Sequence, residues 1–397
     1  MRTNAAFKTI PMSVWGLGLV SMLMDISSEM IHSLLPLFLV GPLGASALMV
    51  GLIEGAAEST ALIAKVFSGT LSDYLGKRKV LAVFGYALSA LTKPLFAIAP
   101  TAAIVLMARL LDRVGKGVRG APRDALVADI APVEVRGAAF GLRQSLDTLG
   151  ALLGPLLAVS LMLLWANDFR SVFWMALIPG MLAVFLLLFG VHEPKRHVGR
   201  KRTNPIRREN LVRLSGMYWW VVGIGAAFAL ARFSEAFLVL RAQQGGIPVA
   251  YVPLVMAGMN MVYSGSAYPF GRLSDRMNHG TLLSLGLLVL IIADLILAVN
   301  DNWLTVAAGV SLWGLHMGMT QGLLATMVAD AAPIDLRGTA YGFFNLVSGI
   351  AMLTASAAAG LLWDRFGASV TFYTGAIFAV LALMGIVLKN VATATTS

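Results

Sequence analysis

The chain has 397 residues, of which 58% are hydrophobic and 13% charged, with a mean hydropathy of +0.80 and a formal net charge of +10. A soluble domain carries about 25% charged residues, so this composition excludes one and places most of the surface in lipid. The absence of cysteine excludes disulfides and thiolate metal sites.

Apolar runs near the 20-residue length of a membrane-crossing helix recur twelve times, at roughly 14–40, 46–70, 80–98, 102–126, 138–165, 171–191, 215–240, 250–270, 280–299, 303–328, 338–362 and 369–389. The expected fold is therefore an all-α integral membrane protein of twelve transmembrane helices. Span 1 runs directly into polar residues, with no sign of a cleaved leader. Asp25, Glu29 and His32 share one face of it at helical period, as Glu54, Glu58 and Lys65 do in span 2. Span 4 is the anomaly: "RLLDRVGKGVRGAPRDALVAD" at 109–129 packs eight charged side chains into 21 positions. On a helix, Arg109, Asp112, Arg113, Lys116, Arg119, Arg123 and Asp124 fall on one arc of about 140° and form a stripe about 22 Å long. Such a stripe cannot face lipid, because each central charge would cost about 2.5 to 3.5 kcal/mol. The acids of spans 1 and 2, with Lys93 of span 3 and the Arg143–Asp147 pair of span 5, bring the sum in this half near neutrality, as buried charges require.

The connection at 192–213, "HEPKRHVGRKRTNPIRRENLVR", holds eight Lys and Arg, and Lys77, Arg78 and Lys79 fill a second turn. Connections on the opposite side, near Gly41 and Pro100, hold none. The positive-inside rule puts both termini and the long linker in the cytoplasm. The basic excess then reads as topology and contact with anionic lipid headgroups, and nucleic acid is not an expected partner. The domains follow as 1–191, a basic linker at 192–213, and 214–397.

Span 7 carries Arg232 and Glu235, and span 10 carries His316, Thr320 and Gln321. The two halves repeat. "GTLSD" ending at Asp73 returns as "GRLSD" ending at Asp275, and "ADIAPVEVRGAAFG" at 128–141 returns as "ADAAPIDLRGTAYG" at 329–342. Parallel six-helix halves joined by a basic loop are an architecture of secondary transporters, with substrate bound near the bilayer midplane. At the repeat offset of 201, Lys116, Arg119, Arg123 and Asp124 map to Met317, Thr320, Leu324 and Ala325. The scaffold does not need those charges, so they imply either a task for the first half or a structural ion network confined to it.

"GTLSDYLGKRKVL" at 69–81 resembles the loop between spans 2 and 3 of the major facilitator superfamily, on Gly69, Asp73, Gly76, Lys77 and Arg78. "RVGKGVRGA" at 113–121 resembles the span 4 motif of its drug:proton antiporters, with Lys116 in place of a glutamine. "GALLGP" at 150–155 resembles the span 5 antiporter motif on Gly150, Gly154 and Pro155. The resemblance implies two pseudo-symmetric six-helix halves and, from the last two motifs, proton-coupled export. Asp73 and Asp275, the latter followed by Arg276, also fit a local role as helix-terminal acids in gating. Gly150, Gly154 and Pro155 fit a thin, bent span 5 that packs closely on a neighbour.

Intramembrane carboxylates beside arginines suit a proton relay. The expected proton-coupling set is Asp25, Glu29, Glu54, Glu58 and Asp147 with Arg113, and the expected substrate set is His32, Arg109, Lys116, Arg119, Arg232, Glu235, His316 and Gln321. The expected function is proton-coupled export of a small molecule by a monomer in the bacterial inner membrane, without a cofactor. Uptake or export of a metal ion, siderophore or organic anion stays open, as does a receptor or lipid scramblase on the same scaffold. An enzyme is disfavoured, because G-x-S-x-G, H-E-x-x-H and a phosphate-cradling glycine loop are all absent.

Overall fold

The computed structural model describes residues 10–75, 77–193, 213–274, 276–299, 302–320, 322–333 and 336–395, with backbone alone at 69, 70, 73–75, 133 and 389–395. Every expected span is helical. In chain order the helices are α1 (Met12–His32), α2 (Leu35–Val40), α3 (Ala47–Leu75), α4 (Arg78–Leu91), α5 (Lys93–Ile98), α6 (Ala102–Ile130), α7 (Arg136–Leu164) and α8 (Phe169–Gly190), followed by α9 (Gly216–Ala231), α10 (Ala236–Gln244), α11 (Pro253–Ser274), α12 (His279–Val299), α13 (Trp303–Thr320), α14 (Leu323–Ala331), α15 (Arg337–Phe366) and α16 (Ala368–Thr395). Among the described residues nine spans are long and apolar enough to cross a bilayer on that ground alone. The charged α6, the polar α11 and the interrupted α13–α14 complete the set of twelve. Pro122, Pro155, Pro179 and Pro269 remain inside helices, which membrane helices tolerate when neighbours re-satisfy the freed carbonyls.

Four spans are broken, and polar side chains sit at the breaks. Span 1 parts between α1 and α2 beside His32, just ahead of Pro36, with Ser33 donating from its hydroxyl to the Glu29 carbonyl (2.8 Å). Span 3 parts at Thr92, ahead of Lys93 and Pro94. Span 7 parts at Arg232–Glu235, and span 10 parts after Thr320, where Gly322 adopts the left-handed backbone (φ 79°) that a side chain disfavours. Proline removes a backbone donor and glycine permits the turn, so three of the four breaks are built from residue types that interrupt a helix.

The chain forms two compact units. One comprises Met1–Leu34 with Thr60–Asn204, and the other Leu35–Ser59 with Pro205–Ser397. Helix α3 changes unit part-way along its length.

In the first unit α1 lies against α7 and α8, and α4 lies against α6. The α1–α7 approach depends on two glycines. A Cβ at Gly150 would stand 2.5 Å from the Met22 carbonyl oxygen and 3.0 Å from the Asp25 Cβ, and one at Gly154 would stand 2.6 Å from the Glu29 Cβ and 2.9 Å from the Ile26 carbonyl oxygen. The backbone of α7 thus rests directly on the turns of α1 that carry Asp25 and Glu29. Asp168 caps α8, accepting from the Arg170 amide (3.0 Å) and the Ser171 hydroxyl (2.5 Å). The Ser171 hydrogen bond is the main reason its carboxyl is held below the usual carboxylate range. Arg170 in turn donates to the carbonyls of Ala97 and Ala99 (both 2.8 Å), closing the end of span 3.

In the second unit the first half of α3 lies along α15. The Asp364 carboxylate accepts the Ala47 and Leu48 amides (2.9 and 2.8 Å), an N-cap supplied from 317 residues away. The Ser59 hydroxyl donates to the Gly349 carbonyl (2.5 Å). Helices α12, α13 and α16 form the other side of this unit, around Trp313 and Phe372, both fully buried.

Gly154→Val should lower the melting temperature of the detergent-solubilised protein, because overpacking against backbone costs about 1 to 3 kcal/mol. Gly120→Ala, at a helical glycine with open space around its Cβ direction, should leave the melting temperature unchanged or raise it slightly. Differential scanning fluorimetry of the two variants checks the pair.

Candidate functional site

The charged face of α6 is turned inward. Arg109, Asp112, Arg113 and Arg119 are at most 4% exposed, so lipid does not touch them. Their partners come from helices that the sequence separates widely. Lys93, at the break in span 3, donates to Asp112 (3.0 Å) and to the Ser28 hydroxyl of α1 (3.2 Å), and Arg109 approaches Asp112 from its own helix (4.0 Å). Arg119 donates to the Ser89 hydroxyl (2.6 Å) with its guanidinium 4.8 Å from the centre of the Tyr86 ring. Arg123 donates to Asp124 (3.1 Å) and to the Ser21 hydroxyl (3.0 Å), which meets the Tyr86 hydroxyl at 3.1 Å. Asp147 joins this end of the stripe, 3.7 Å from Arg123 and 2.5 Å from Arg143. Arg143 also approaches Asp124 (3.7 Å). Asp112, Arg119, Arg123 and Asp124 each have a partner on another helix, and loss of one partner would strand the other away from solvent.

Asp25 and Glu29 complete the constellation from α1. Both are half-buried. Asp25 lies within electrostatic reach of Asp147, Arg119, Lys116 and Arg123, and Glu29 lies within reach of His32, Lys116 and Arg113. The Glu29 carboxylate is 3.5 Å from the His32 ring. Arg113 thus acts on Glu29, while Arg119 and Arg123, further along α6, act on Asp25. Lys116 is the exposed member of the stripe and lies within reach of both acids.

The second unit has its own polar cluster. Arg232 and Glu235 pair across the break in span 7 (3.6 Å), with Tyr263 of α11 within electrostatic reach of both. His316 is fully buried, with Nδ1 2.7 Å from the Gly286 carbonyl and its ring stacked on Phe228 at 5.3 Å. Its Nε2 meets no hydrogen-bond partner among the described residues. Thr320 donates back to the His316 carbonyl (2.9 Å).

The remaining sequence-derived positions are dispersed. Glu54 is buried and Glu58 half-buried on the part of α3 that belongs to the second unit, whereas Asp25, Glu29 and Asp147 belong to the first. Arg78 starts α4, donates to Asp129 (2.5 Å) and the Ala125 carbonyl (2.8 Å), and ties α4 to the end of α6. Glu193 accepts the Arg78 and Lys79 amides (2.8 and 3.3 Å), capping α4. Lys77 and Arg276 are exposed, and Pro155 is buried inside α7. Gly69 and the backbone of Asp73 lie in the last turns of α3. Gly76, Asp275, Gln321, the side chain of Asp73 and the linker at 194–212 lie outside the described residues. Among the described residues no three His, Asp or Glu converge as metal ligands.

Sequence reasoning did not single out Asp112 with Lys93 as a pair, nor Ser28, Tyr263 or Asp294. Lys93 had a signal, being a lysine in mid-span next to a proline. Asp294 had one too, as the lone acid of "LLVLIIADLILAV".

The profile of the Major Facilitator Superfamily matches residues 17–245 and 224–395. The chain belongs to that superfamily. It is 31% identical over 387 residues to an uncharacterised MFS-type transporter of Methanocaldococcus jannaschii, covering 96% of each chain. It is 22% identical over 277 residues to the quinolone resistance protein NorA of Staphylococcus aureus, covering 68% of this chain and 69% of NorA. Among solved structures it superposes on a bacterial homolog of the human lysosomal transporter Spinster with a TM-score of 0.76 and 16% identity, over 95% of this chain and 96% of the other. The fold is the twelve-helix fold of this superfamily, whose members are membrane transporters of small molecules rather than enzymes.

Asp112 is surrounded by Lys93, Arg113, Arg109 and Arg119, so the two halves of the Lys93–Asp112 pair are unequal. Asp112→Asn should destabilise by about 3 to 5 kcal/mol, as stranded buried charges do, and Lys93→Met by less. The double variant should recover part of the Asp112→Asn loss. Thermal melts of the three proteins in detergent check the order.

Proposed function

We propose that this superfamily member is a proton-coupled exporter of a small molecule, working by alternating access in the bacterial inner membrane as a monomer with both termini cytoplasmic. The observation that carries the reading is the half-buried pair Asp25 and Glu29, set within electrostatic reach of the α6 cations and backed by the Gly150 and Gly154 contacts. A carboxylate at that depth is stable while the cations face it, and accepts a proton when substrate or solvent takes their place. Asp147 belongs to the same circuit through Arg123 and Arg143, and Glu54 and Glu58 are second-rank carriers. Proton and substrate then compete for one set of charges, which is the requirement for exchange transport. Similarity to a quinolone resistance protein supports the outward direction and an organic cargo.

In the first unit Lys93, Arg109, Arg113, Lys116, Arg119, Arg123 and Arg143 stand against Asp25, Glu29, Asp112, Asp124 and Asp147. The surplus of cations favours a cargo bearing a carboxylate or another anionic group, and guanidinium groups suit such a group geometrically. The second unit has a polar cluster of its own in Arg232, Glu235 and the buried His316. The basic connections keep contact with anionic lipid headgroups.

The test uses purified protein in liposomes with an acidic interior and a trapped pH dye. Norfloxacin, a carboxylate-bearing quinolone, added outside should alkalinise the interior by exchange for protons. The Asp25→Asn/Glu29→Gln double variant should lose at least about tenfold of that rate, the scale on which removal of a proton-transfer group acts. A double variant that alkalinises at the unaltered rate would remove α1 from the proton path.

A further inference from the structure

Asp294 lies in the last third of α12 with no exposed surface. Its Oδ1 accepts the Trp313 indole N–H (2.9 Å), and its Oδ2 accepts from no donor among the described residues. A Cβ placed on Gly375 of α16 would stand 2.8 Å from that Oδ2 and 2.9 Å from the ring of Phe233. The orphan oxygen is therefore sealed between the α16 backbone and an aromatic ring. Phe233 belongs to the break in span 7, between Arg232 and Glu235, and packs on Trp313 (5.8 Å) and Phe372 (5.5 Å).

The charged groups around this acid are all engaged elsewhere. From α10, Arg241 donates its Nε to the Leu297 carbonyl (2.8 Å), one turn beyond Asp294. From α13, His316 meets the Gly286 carbonyl, two turns before it. From α14, Asp330 approaches His279 at the start of α12 (4.0 Å). Arg232 and Glu235 hold one another, and α16 brings no charged side chain to Asp294 among the described residues. Among the described residues the Trp313 indole N–H is the one hydrogen-bond donor to its carboxyl.

An ionised carboxylate offers about four acceptor sites and needs a cation or several donors when buried in a span. Here one neutral N–H is supplied. A neutral carboxylic acid fits the same surroundings, with its carbonyl oxygen taking the indole N–H and its hydroxyl at Oδ2. Enzymes use apolar sites of this kind to keep an acid neutral.

We propose that Asp294 is a proton-binding site of the second unit, loaded as the carboxylic acid in this conformation and plugged by Phe233. When the break in span 7 moves and Phe233 withdraws, water reaches Oδ2, the O–H bond breaks, and the proton leaves on that water. The carboxylate left behind keeps its hydrogen bond from Trp313. On reclosure it takes a proton back from water before the ring reseats. Span 7 and this acid are thereby linked, so the geometry of the Arg232–Glu235 break depends on whether Asp294 is charged.

The test is infrared spectroscopy of the purified full-length protein at neutral pH, which needs no transported substrate, so its failure and a failure of the export reading are separable. The unaltered protein should show a carboxylic C=O stretch that disappears in Asp294→Asn and shifts in frequency in Trp313→Phe, where the carbonyl loses its hydrogen bond. In D2O that band should shift slowly, and Phe233→Ala should speed the shift by about tenfold or more, because access then no longer waits for local opening. A spectrum unchanged by Asp294→Asn overturns the proposal, since the side chain would then be ionised. A band that never shifts in D2O also overturns it, since the acid would be a fixed structural group. If Asp294→Asn does not fold, the Phe233→Ala exchange rate decides alone, and no acceleration rejects the plugged site.

Discussion

Charge in a low-dielectric span organises this molecule. Arg109, Asp112, Arg113 and Arg119 are almost wholly removed from solvent and lipid, and an unpaired ion there is far costlier than an unpaired apolar contact. Helices α1, α4, α5 and α7 are consequently committed to α6 by side chains that complete it: Ser21, Ser28, Tyr86, Ser89, Lys93 and Asp147. The first unit is in effect built around the stripe. Because its members are mutually dependent, the network responds as a whole when one of its charges is altered.

Close backbone packing makes the network possible. Gly150 and Gly154 allow α7 to touch the turns of α1 that bear Asp25 and Glu29, and Gly85 and Gly115 bring α4 to α6. Small residues are how membrane helices approach without a hydrophobic driving force between them. The breaks in spans 1, 3, 7 and 10 add the second ingredient, since each leaves polar groups beside an interrupted helix, at His32, Lys93, Arg232–Glu235 and Thr320. In the second unit the charges are fewer, and the aromatic cluster of Phe233, Trp313 and Phe372 takes over the packing.

Much of this was legible in the sequence, for physical reasons that also mark where legibility ends. Hydrophobic length locates spans, and a helical period of 3.6 residues sorts Arg109 to Asp124 onto one face, because both depend only on neighbours along the chain. Partners across helices depend on register between spans, which no single-helix pattern contains. The period placed Arg113 on the charged face of α6 but could not say that it lies within electrostatic reach of Glu29, and Arg119 and Arg123 within reach of Asp25. It grouped Glu54 and Glu58 with the first half, whereas the chain around them packs on α15, held by Asp364 and Ser59. Asp294 is a lone acid in an apolar run, and only packing reveals that Trp313 is its single donor among the described residues.

The α1 acids lie within electrostatic reach of the α6 cations, so the two sets should act as one electrostatic unit. A double-mutant cycle between Glu29→Gln and Arg113→Gln, read as thermal stability in detergent, tests it most directly. The double variant should be more stable than the sum of the singles allows, with a coupling of about 1 kcal/mol or more. Additivity within about 0.3 to 0.5 kcal/mol, the range for independent sites, would contradict it and reduce the stripe to separate local pairs.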